Sequence, residues 1–95
     1  MLALISPLDV AGEVTKRAKA MRLAQNLSQK SLAARSDVSQ ASIKRFERTG
    51  EIAFASLLKI SAALGCMDDF GALFAPREAV SINEIIKKRR VRGRD

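Results

Sequence analysis

Five polar or cationic residues recur on the outward side of a short helical pattern in the middle of the chain. They are Gln40, Ser42, Lys44, Arg45 and Arg48. Carboxamide groups both donate and accept hydrogen bonds at the edges of bases, guanidinium groups donate them, and cations contact phosphates. Residue types of this kind on one helix surface favour a nucleic acid as the partner.

Apolar residues lie between these polar positions. They continue upstream into a second short helical pattern, which three residues separate from the first. They are Leu32, Ala33, Val38, Ile43 and Phe46. We therefore predict one helix over residues 29–35, a turn at residues 36–38, and a helix that Ser39 caps and that ends near residue 48. Two helices locked at a fixed angle in this way place the second one in the DNA major groove.

Three further helices are predicted around this pair. Ser6, Pro7 and Asp9 are typical of a helix start, so we predict a helix over residues 7–25. Its inner stripe is expected to contain Val10, Ala11, Val14, Ala18 and Met21. Asn26 can adopt the left-handed conformation that closes this helix, and Ser28 can cap the next one.

The fourth helix is predicted over residues 55–64 and the fifth over residues 68–74. The residues expected inside the fourth helix are Leu57, Leu58, Ile60 and Leu64. Gly65 is expected to end the fourth helix, and Pro76 blocks the continuation of the fifth.

The character of the sequence changes at Pro76, so we divide the chain there. Residues 1–75 are predicted to form one all-α domain, and residues 76–95 a basic extension. Six of the last nine residues are Lys or Arg, within a net charge of +7. Residues 81–84 fit a capping box, so residues 82–88 suit a short helix, although a strand is the alternative. The basic end is either solvated or an arm that binds a polyanion.

The chain has no histidine and a single cysteine, Cys66. Histidine is the commonest general base and metal ligand, so zinc sites and histidine-activated nucleophiles are excluded. We expect no catalytic residues, no metal, no cofactor and no enzymatic activity. Cys66 suits the core or a dimer surface. The absence of a long apolar run and of a signal-peptide pattern predicts a cytoplasmic protein with no membrane span.

Three motifs are specific in combination. Leu27-Ser28-Gln29 opens the second helix, Val38-Ser39 precedes the third, and Arg45-Phe46-Glu47-Arg48 closes it. Together they resemble the Cro/cI-type (XRE) helix-turn-helix family over about residues 7–75. This resemblance implies a five-helix, lambda-repressor-like DNA-binding domain. The Ser-Pro start, residues 45–50 and the basic tail also resemble HipB-like antitoxins.

The resemblance assigns a DNA-binding set to the second and third helices. The expected residues are Gln29, Ser39, Gln40, Ala41, Ser42, Lys44, Arg45 and Arg48. Among them, Gln40 would pair with adenine, Arg45 with guanine, and the methyl group of Ala41 would meet a thymine methyl. The alternative is a solvated helix surface whose charges serve solubility.

Other members of the set are expected to bind the phosphate backbone. Gln29 matches a family residue that braces against phosphate and often against a polar residue at the start of the third helix, here Gln40. Ser42 and Arg48 are expected to contact phosphates, and Lys44 reaches either a base or a phosphate.

The resemblance also implies a scaffold pair and shows two departures. Arg22 and Glu47 match positions that form an ion pair between the first and third helices. Asp37 stands where the family usually has a glycine with positive φ, a conformation that aspartate tolerates less well. Residues 49–52 lack the basic residues of many relatives, so a phosphate contact in this loop would use backbone N–H groups.

We therefore expect a repressor that binds palindromic operator DNA as a homodimer, because one reading helix gives little specificity. The apolar residues of the fourth and fifth helices, Phe70 and Phe74 among them, are the candidate interface, and residues 80–86 are the alternative. A second hypothesis adds a partner, so that the chain is an antitoxin that neutralises a HipA-like kinase toxin and represses its own operon. An interaction module without DNA binding is the third.

Overall fold

The first three helices each begin at a serine whose hydroxyl accepts a backbone hydrogen bond that the helix itself leaves unmade. The computed structural model describes residues 6–77. In it, the Oγ atoms of Ser6, Ser28 and Ser39 accept from the backbone N–H three residues further on, at 3.0, 3.0 and 3.1 Å. Such caps contribute about 1 kcal/mol each. All three predicted caps are confirmed.

The helices are α1 (Pro7–Ala24), α2 (Gln29–Ser36), α3 (Gln40–Thr49) and α4 (Phe54–Leu64), followed by a 3₁₀ helix at Met67–Phe70. All regular secondary structure within residues 6–77 is helical, which confirms the predicted class for this part of the chain. None of these described helices combines the length and the apolar character that a bilayer crossing requires.

Left-handed backbone conformations close the helices. Asn26 and Asp37 have φ values of +58° and +59°, as predicted, and Gly50 and Gly65 have +81° and +86°. Gly50 also lies close to α1, because a Cβ atom there would be 3.3 Å from the hydroxyl of Thr15. Glycine at this position therefore allows both the turn after α3 and the close approach of α1.

A small apolar core holds α3 in place. Its buried residues are Leu27, Leu32, Val38, Ile43, Phe46, Ile60 and Leu64. Ile43 and Phe46 of α3 are 0% and 3% exposed. Burying one such side chain contributes about 1.5–3 kcal/mol. A ten-residue helix is marginal alone in water, so this packing is what fixes α3.

The predicted inner stripe of α1 is only partly correct. Ala18 packs against the core, but Val10 and Met21 are 44% and 37% exposed. Thr15 and Arg22 are buried in their place. Thr15 donates its hydroxyl proton to the carbonyl of Ala11 at 2.7 Å, so its polar group is satisfied inside the fold.

The interior of α4 also differs in part from the prediction. Ile60 and Leu64 are buried, whereas Leu57 and Leu58 are only half-buried. Leu57 nevertheless packs against the core.

The predicted fifth helix is wrong as an α-helix. The structure has a 3₁₀ helix of four residues at Met67–Phe70, followed by turns at residues 71–74. Gly71 raises the entropic cost of a helix, and Pro76 disfavours helical backbone at the residue before it. Phe74 has φ +62°, a value at which a right-handed helix cannot continue.

Several predictions lie outside the described residues 6–77. They are the capping box at residues 81–84, the short helix or strand at residues 82–88, and the basic tail. The division of the chain at residue 76 also stays a prediction.

Asp37 provides a test of the turn between α2 and α3. Its left-handed conformation costs aspartate more than glycine, whereas glycine has the more flexible unfolded chain. We expect Asp37→Gly to change the free energy of unfolding by about 0 to +1 kcal/mol, measured by urea denaturation. A clear loss of stability would show that the side chain of Asp37 has another structural role.

Candidate nucleic-acid interface

One side of α3 is buried and the other is open. Ile43 and Phe46 lie in the core, while Gln40, Ala41, Lys44, Arg45 and Arg48 are exposed. Ser42 is half-buried, and its backbone N–H and hydroxyl are both hydrogen-bonded to the cap residue Ser39. The outward set predicted from the sequence therefore shares one accessible helix surface that carries three cations and one carboxamide.

A buried ion pair ties α1 to the end of α3. Arg22 Nε donates to Glu47 Oε2 at 2.8 Å, and Arg22 Nη2 donates to Glu47 Oε1 at 3.0 Å. The two side chains are only 8% and 6% exposed. Arg22 Nη1 also donates to the carbonyl of Leu27 at 2.7 Å. The predicted scaffold pair is thus confirmed, with two parallel hydrogen bonds that fix the geometry.

Gln29 joins this pair rather than Gln40. Its side-chain Nε2 donates to Glu47 Oε1 at 2.9 Å. The brace expected between Gln29 and the start of α3 is therefore replaced by one to the end of α3. Gln29 is the first residue of α2, so this bond fixes the amino end of α2 relative to α3.

The same contacts determine the protonation of Glu47. Burial alone would raise the pKa of Glu47, but hydrogen bonds from Arg22 and Gln29 and the positive charges of Arg22 and Lys19 together lower it below its ordinary value. The carboxylate is thus held ionised in the folded protein.

Because the pKa of Glu47 is lower when folded than when unfolded, the unfolded chain binds more protons on acidification. Its contribution to stability is complete above the unfolded pKa of about 4.3 and is lost as pH falls through the folded pKa. We expect the difference in unfolding free energy between the wild-type protein and Glu47→Gln to shrink from about pH 6 to about pH 3. A pH-independent difference, measured by denaturation at each pH, would contradict this.

A cationic cleft lies between α1 and the end of α3. Its lining includes Lys16, Lys19, Arg48 and Gly50, and its volume is about 340 Å³. Lys16 and Lys19 are not among the DNA-binding residues predicted from the sequence. Their spacing of three residues places them on one side of α1, but only the crossing of α1 over Gly50 brings them to Arg48.

An acidic residue also reaches the outward surface of α3. Arg45 Nη2 donates to Glu51 Oε1 at 2.6 Å, and both side chains are about two-thirds exposed. The sequence of the loop at residues 49–52 indicated only that the loop lacks cations. A six-residue spacing that spans a helix end gives no periodic signal, so the pair was missed.

Cys66 and the acidic residues around it do not form a metal-binding arrangement. Within residues 6–77 no three His, Cys, Asp or Glu side chains are grouped closely enough to hold a metal ion. Burial and the charges of Asp69 and Asp68 raise the pKa of the Cys66 thiol, against a lowering hydrogen bond with Ser61. The thiolate that redox chemistry needs is therefore disfavoured.

A helix-turn-helix family model matches residues 19–67, which is more than half of the chain. The match begins within α1, includes α2, α3 and α4, and ends where the 3₁₀ helix starts. No curated protein and no solved structure matches the chain. The matched region includes the buried Arg22–Glu47 pair, the turn between α2 and α3 with its cap residue Ser39, and the exposed α3 surface. The chain therefore belongs to the Cro/cI-type (XRE) helix-turn-helix family of DNA-binding transcription regulators.

Proposed function

We propose that the protein represses transcription by binding palindromic operator DNA as a homodimer, with α3 in the major groove. The observation that carries this proposal is the exposed set Gln40, Ala41, Lys44 and Arg45 on a helix whose other side is fixed in the core. A rigid helix with accessible carboxamide and guanidinium groups suits direct readout of base edges.

Each exposed residue has a partner that its chemistry selects. Gln40 pairs with adenine and Arg45 with guanine, and each such contact discriminates by about 1–3 kcal/mol. Ala41 meets a thymine methyl group. Lys44 and Arg48 neutralise phosphates, Lys44 from the middle of α3 and Arg48 from its end.

The amino ends of α2 and α3 complete the phosphate contacts. Backbone N–H groups at a helix start bind anions, and these two starts lie at Gln29 and Gln40. Because Gln29 is already hydrogen-bonded to Glu47, it presents the start of α2 in a fixed position. Ser39 and Ser42 are engaged with each other in the same way at the start of α3.

The dimer would use the apolar surface that follows α4. Leu73 is 51% exposed, Met67 is 49% exposed and Phe74 is fully exposed. Phe54, also 61% exposed, lies edge-on to Phe70 with ring centroids 6.3 Å apart. Exposed apolar clusters of this kind mark interaction sites in soluble proteins.

Phe74 offers the sharpest test of that surface. Among residues 6–77 it is fully exposed, and its φ is +62°; both are unfavourable for a large aromatic residue. We expect Phe74→Asp to convert a dimer into a monomer, measured by sedimentation, and to weaken binding to a two-half-site duplex by at least ~10-fold. Ala20→Asp is the matched control, because it adds the same charge at an exposed alanine of α1 outside this surface. A dimer that survives Phe74→Asp would move the interface elsewhere.

Binding itself is tested by titrating a labelled duplex with the full chain at several salt concentrations. If the cations of α3, including Arg48, and the helix starts contact phosphates, the logarithm of the association constant falls linearly with the logarithm of the salt concentration. The slope is about −0.9 per phosphate neutralised. Selection from a random pool should then enrich a palindrome whose half-site centres are about 34 Å apart. Salt-independent binding, or no enriched sequence, would reject the proposal.

The antitoxin alternative depends on residues 80–86 and on the basic tail, which lie outside residues 6–77. It therefore stays a prediction from the sequence. Co-purification of a kinase encoded by a neighbouring gene would support it. If the homodimer purifies without such a kinase, the repressor function alone is favoured.

A further inference from the structure

The loop between α3 and α4 places a carboxylate beside the arginine that is proposed to read guanine. Glu51 Oε1 accepts from Arg45 Nη2 at 2.6 Å. Thr49 connects the same two residues through their backbones, since its hydroxyl donates to the carbonyl of Arg45 at 2.8 Å and accepts from the N–H of Glu51 at 3.1 Å. The three hydrogen bonds form a closed ring that relates Glu51 to the last turn of α3.

The backbone around Glu51 is fixed by the end of α3. The N–H of Gly50 donates to the carbonyl of Phe46 at 2.7 Å, and Gly50 is in the left-handed conformation with its Cα against Thr15. Glu51 follows directly, so its Cα has little freedom of position. The side chain of Glu51 therefore starts from a fixed point within reach of Arg45.

Folding stability does not explain the Arg45–Glu51 pair. Both side chains are about two-thirds exposed, and exposed ion pairs contribute little to folding. A carboxylate next to a DNA-binding surface also repels phosphates, which weakens binding. A cleft of about 200 Å³ lined by Ser42, Ile52 and Ser56 borders the pair, so Arg45 has room for other rotamers.

We propose that Glu51 is a positioning residue that holds the guanidinium of Arg45 in the orientation that reads a guanine edge. This inference rests on the proposed base contact of Arg45. A guanidinium has five N–H donors, and Glu51 takes one of them. Enough remain for the two parallel bonds to the O6 and N7 atoms of guanine. The loss of general affinity caused by the carboxylate is thus exchanged for selectivity at one base pair.

Two substitutions that both remove the negative charge of Glu51 distinguish its two possible effects, which are to hold Arg45 and to repel phosphates. Glu51→Ala removes the acceptor, whereas Glu51→Gln keeps a neutral acceptor at the same reach. Glu13→Gln is the matched control, because it makes the same change in an Arg–Glu pair on α1, where Arg17 lies 3.6 Å away. Thermal melting of each variant verifies the fold.

The measurement is the dissociation constant of the full chain for three duplexes, by fluorescence anisotropy at one salt concentration. The first is the site enriched from a random pool. In the second duplex one guanine is changed to adenine, at the position where Arg45→Ala has lost its base preference. The third duplex has a random sequence. The ratio of the first two constants is the discrimination at that base pair.

We expect Glu51→Ala to lower this discrimination by up to about 5-fold, the upper end of the range of an exposed ion pair, and Glu51→Gln to lower it less. Both should raise affinity for the random duplex equally, and Glu13→Gln should leave discrimination unchanged. Unchanged discrimination in both Glu51 variants, or an equal loss in both, would overturn the positioning role. Tighter specific binding with full discrimination would show that Glu51 only restrains binding. A wild-type protein that shows no preference among the three duplexes would instead refute the proposed function.

Discussion

Glu47→Ala lowers the free energy of unfolding by about 3–5 kcal/mol, because the guanidinium of Arg22 is left buried without its counter-charge. Arg22 would keep only its hydrogen bond to the carbonyl of Leu27. The same change releases Gln29, which links α2 to α3. For a domain of this size the melting temperature should fall by about 12 °C or more, measured by circular dichroism. DNA affinity should fall as a consequence of the lost fold.

The matched control is Glu13→Ala, which removes a glutamate from an ion pair at the surface of α1. Arg17 is 70% exposed in that pair, so its charge stays hydrated when Glu13 is lost. We expect a change of less than about 1 kcal/mol. Equal melting temperatures for Glu47→Ala and the wild-type protein would mean that the buried pair does not hold the reading helix.

Arg45→Ala changes which sequence is bound, and Arg48→Ala does not. Losing the guanine contact of Arg45 should cost the preferred site about 1–3 kcal/mol while affinity for other bases at that position changes much less. Losing a phosphate contact of Arg48 should weaken all duplexes about equally and reduce the salt slope by about 1. Both side chains are exposed, so neither change should alter the fold.

Binding constants for a set of single-base variants of the enriched site separate the two outcomes. A uniform loss with Arg45→Ala would make Arg45 a phosphate contact and would also remove the basis for a positioning role of Glu51. A changed base preference with Arg48→Ala would move the reading surface toward the end of α3.

Local signals in the sequence predicted the helices accurately. Ser28 and Ser39 identify helix starts, and Gly50 and Gly65 identify helix ends, because each acts on its own neighbouring backbone. The four α-helices could therefore be placed to within a residue at each end. The polar surface of α3 followed from the residue types on it and from the spacing of the apolar positions Ile43 and Phe46.

Contacts between distant residues could not be predicted from local signals, and the Arg22–Glu47 pair was predicted only through the family resemblance. Apolar periodicity suggested Val10 and Met21 as the inner side of α1, but the partner of α1 is the carboxylate of Glu47, which selects Arg22 for burial. Gln29 lies nearer in sequence to Gln40, yet its amide reaches Glu47. The pairing of Arg45 with Glu51 depends on the direction in which the chain leaves α3, which spacing does not specify.

The prediction of a fifth α-helix was wrong for a related reason. The apolar residues at 70, 73 and 74 have helical spacing, but spacing ignores the backbone cost of Gly71 and the restriction imposed before Pro76. The same residues instead form an exposed apolar surface, with Leu73 and Phe74 outward. In the proposed dimer a second copy would bury them, and a single sequence does not reveal such a contact.

The most direct test of the account is to bind the wild-type protein and Arg45→Ala to the enriched duplex after replacing its purines, one at a time, with deaza analogues that lack the N7 acceptor of the major groove. Loss of wild-type affinity should be confined to two groups of purines one helical turn apart, and the loss at the guanine of each group should disappear in Arg45→Ala. If removing N7 nowhere affects wild-type binding, α3 does not read the major groove and the central claim is wrong.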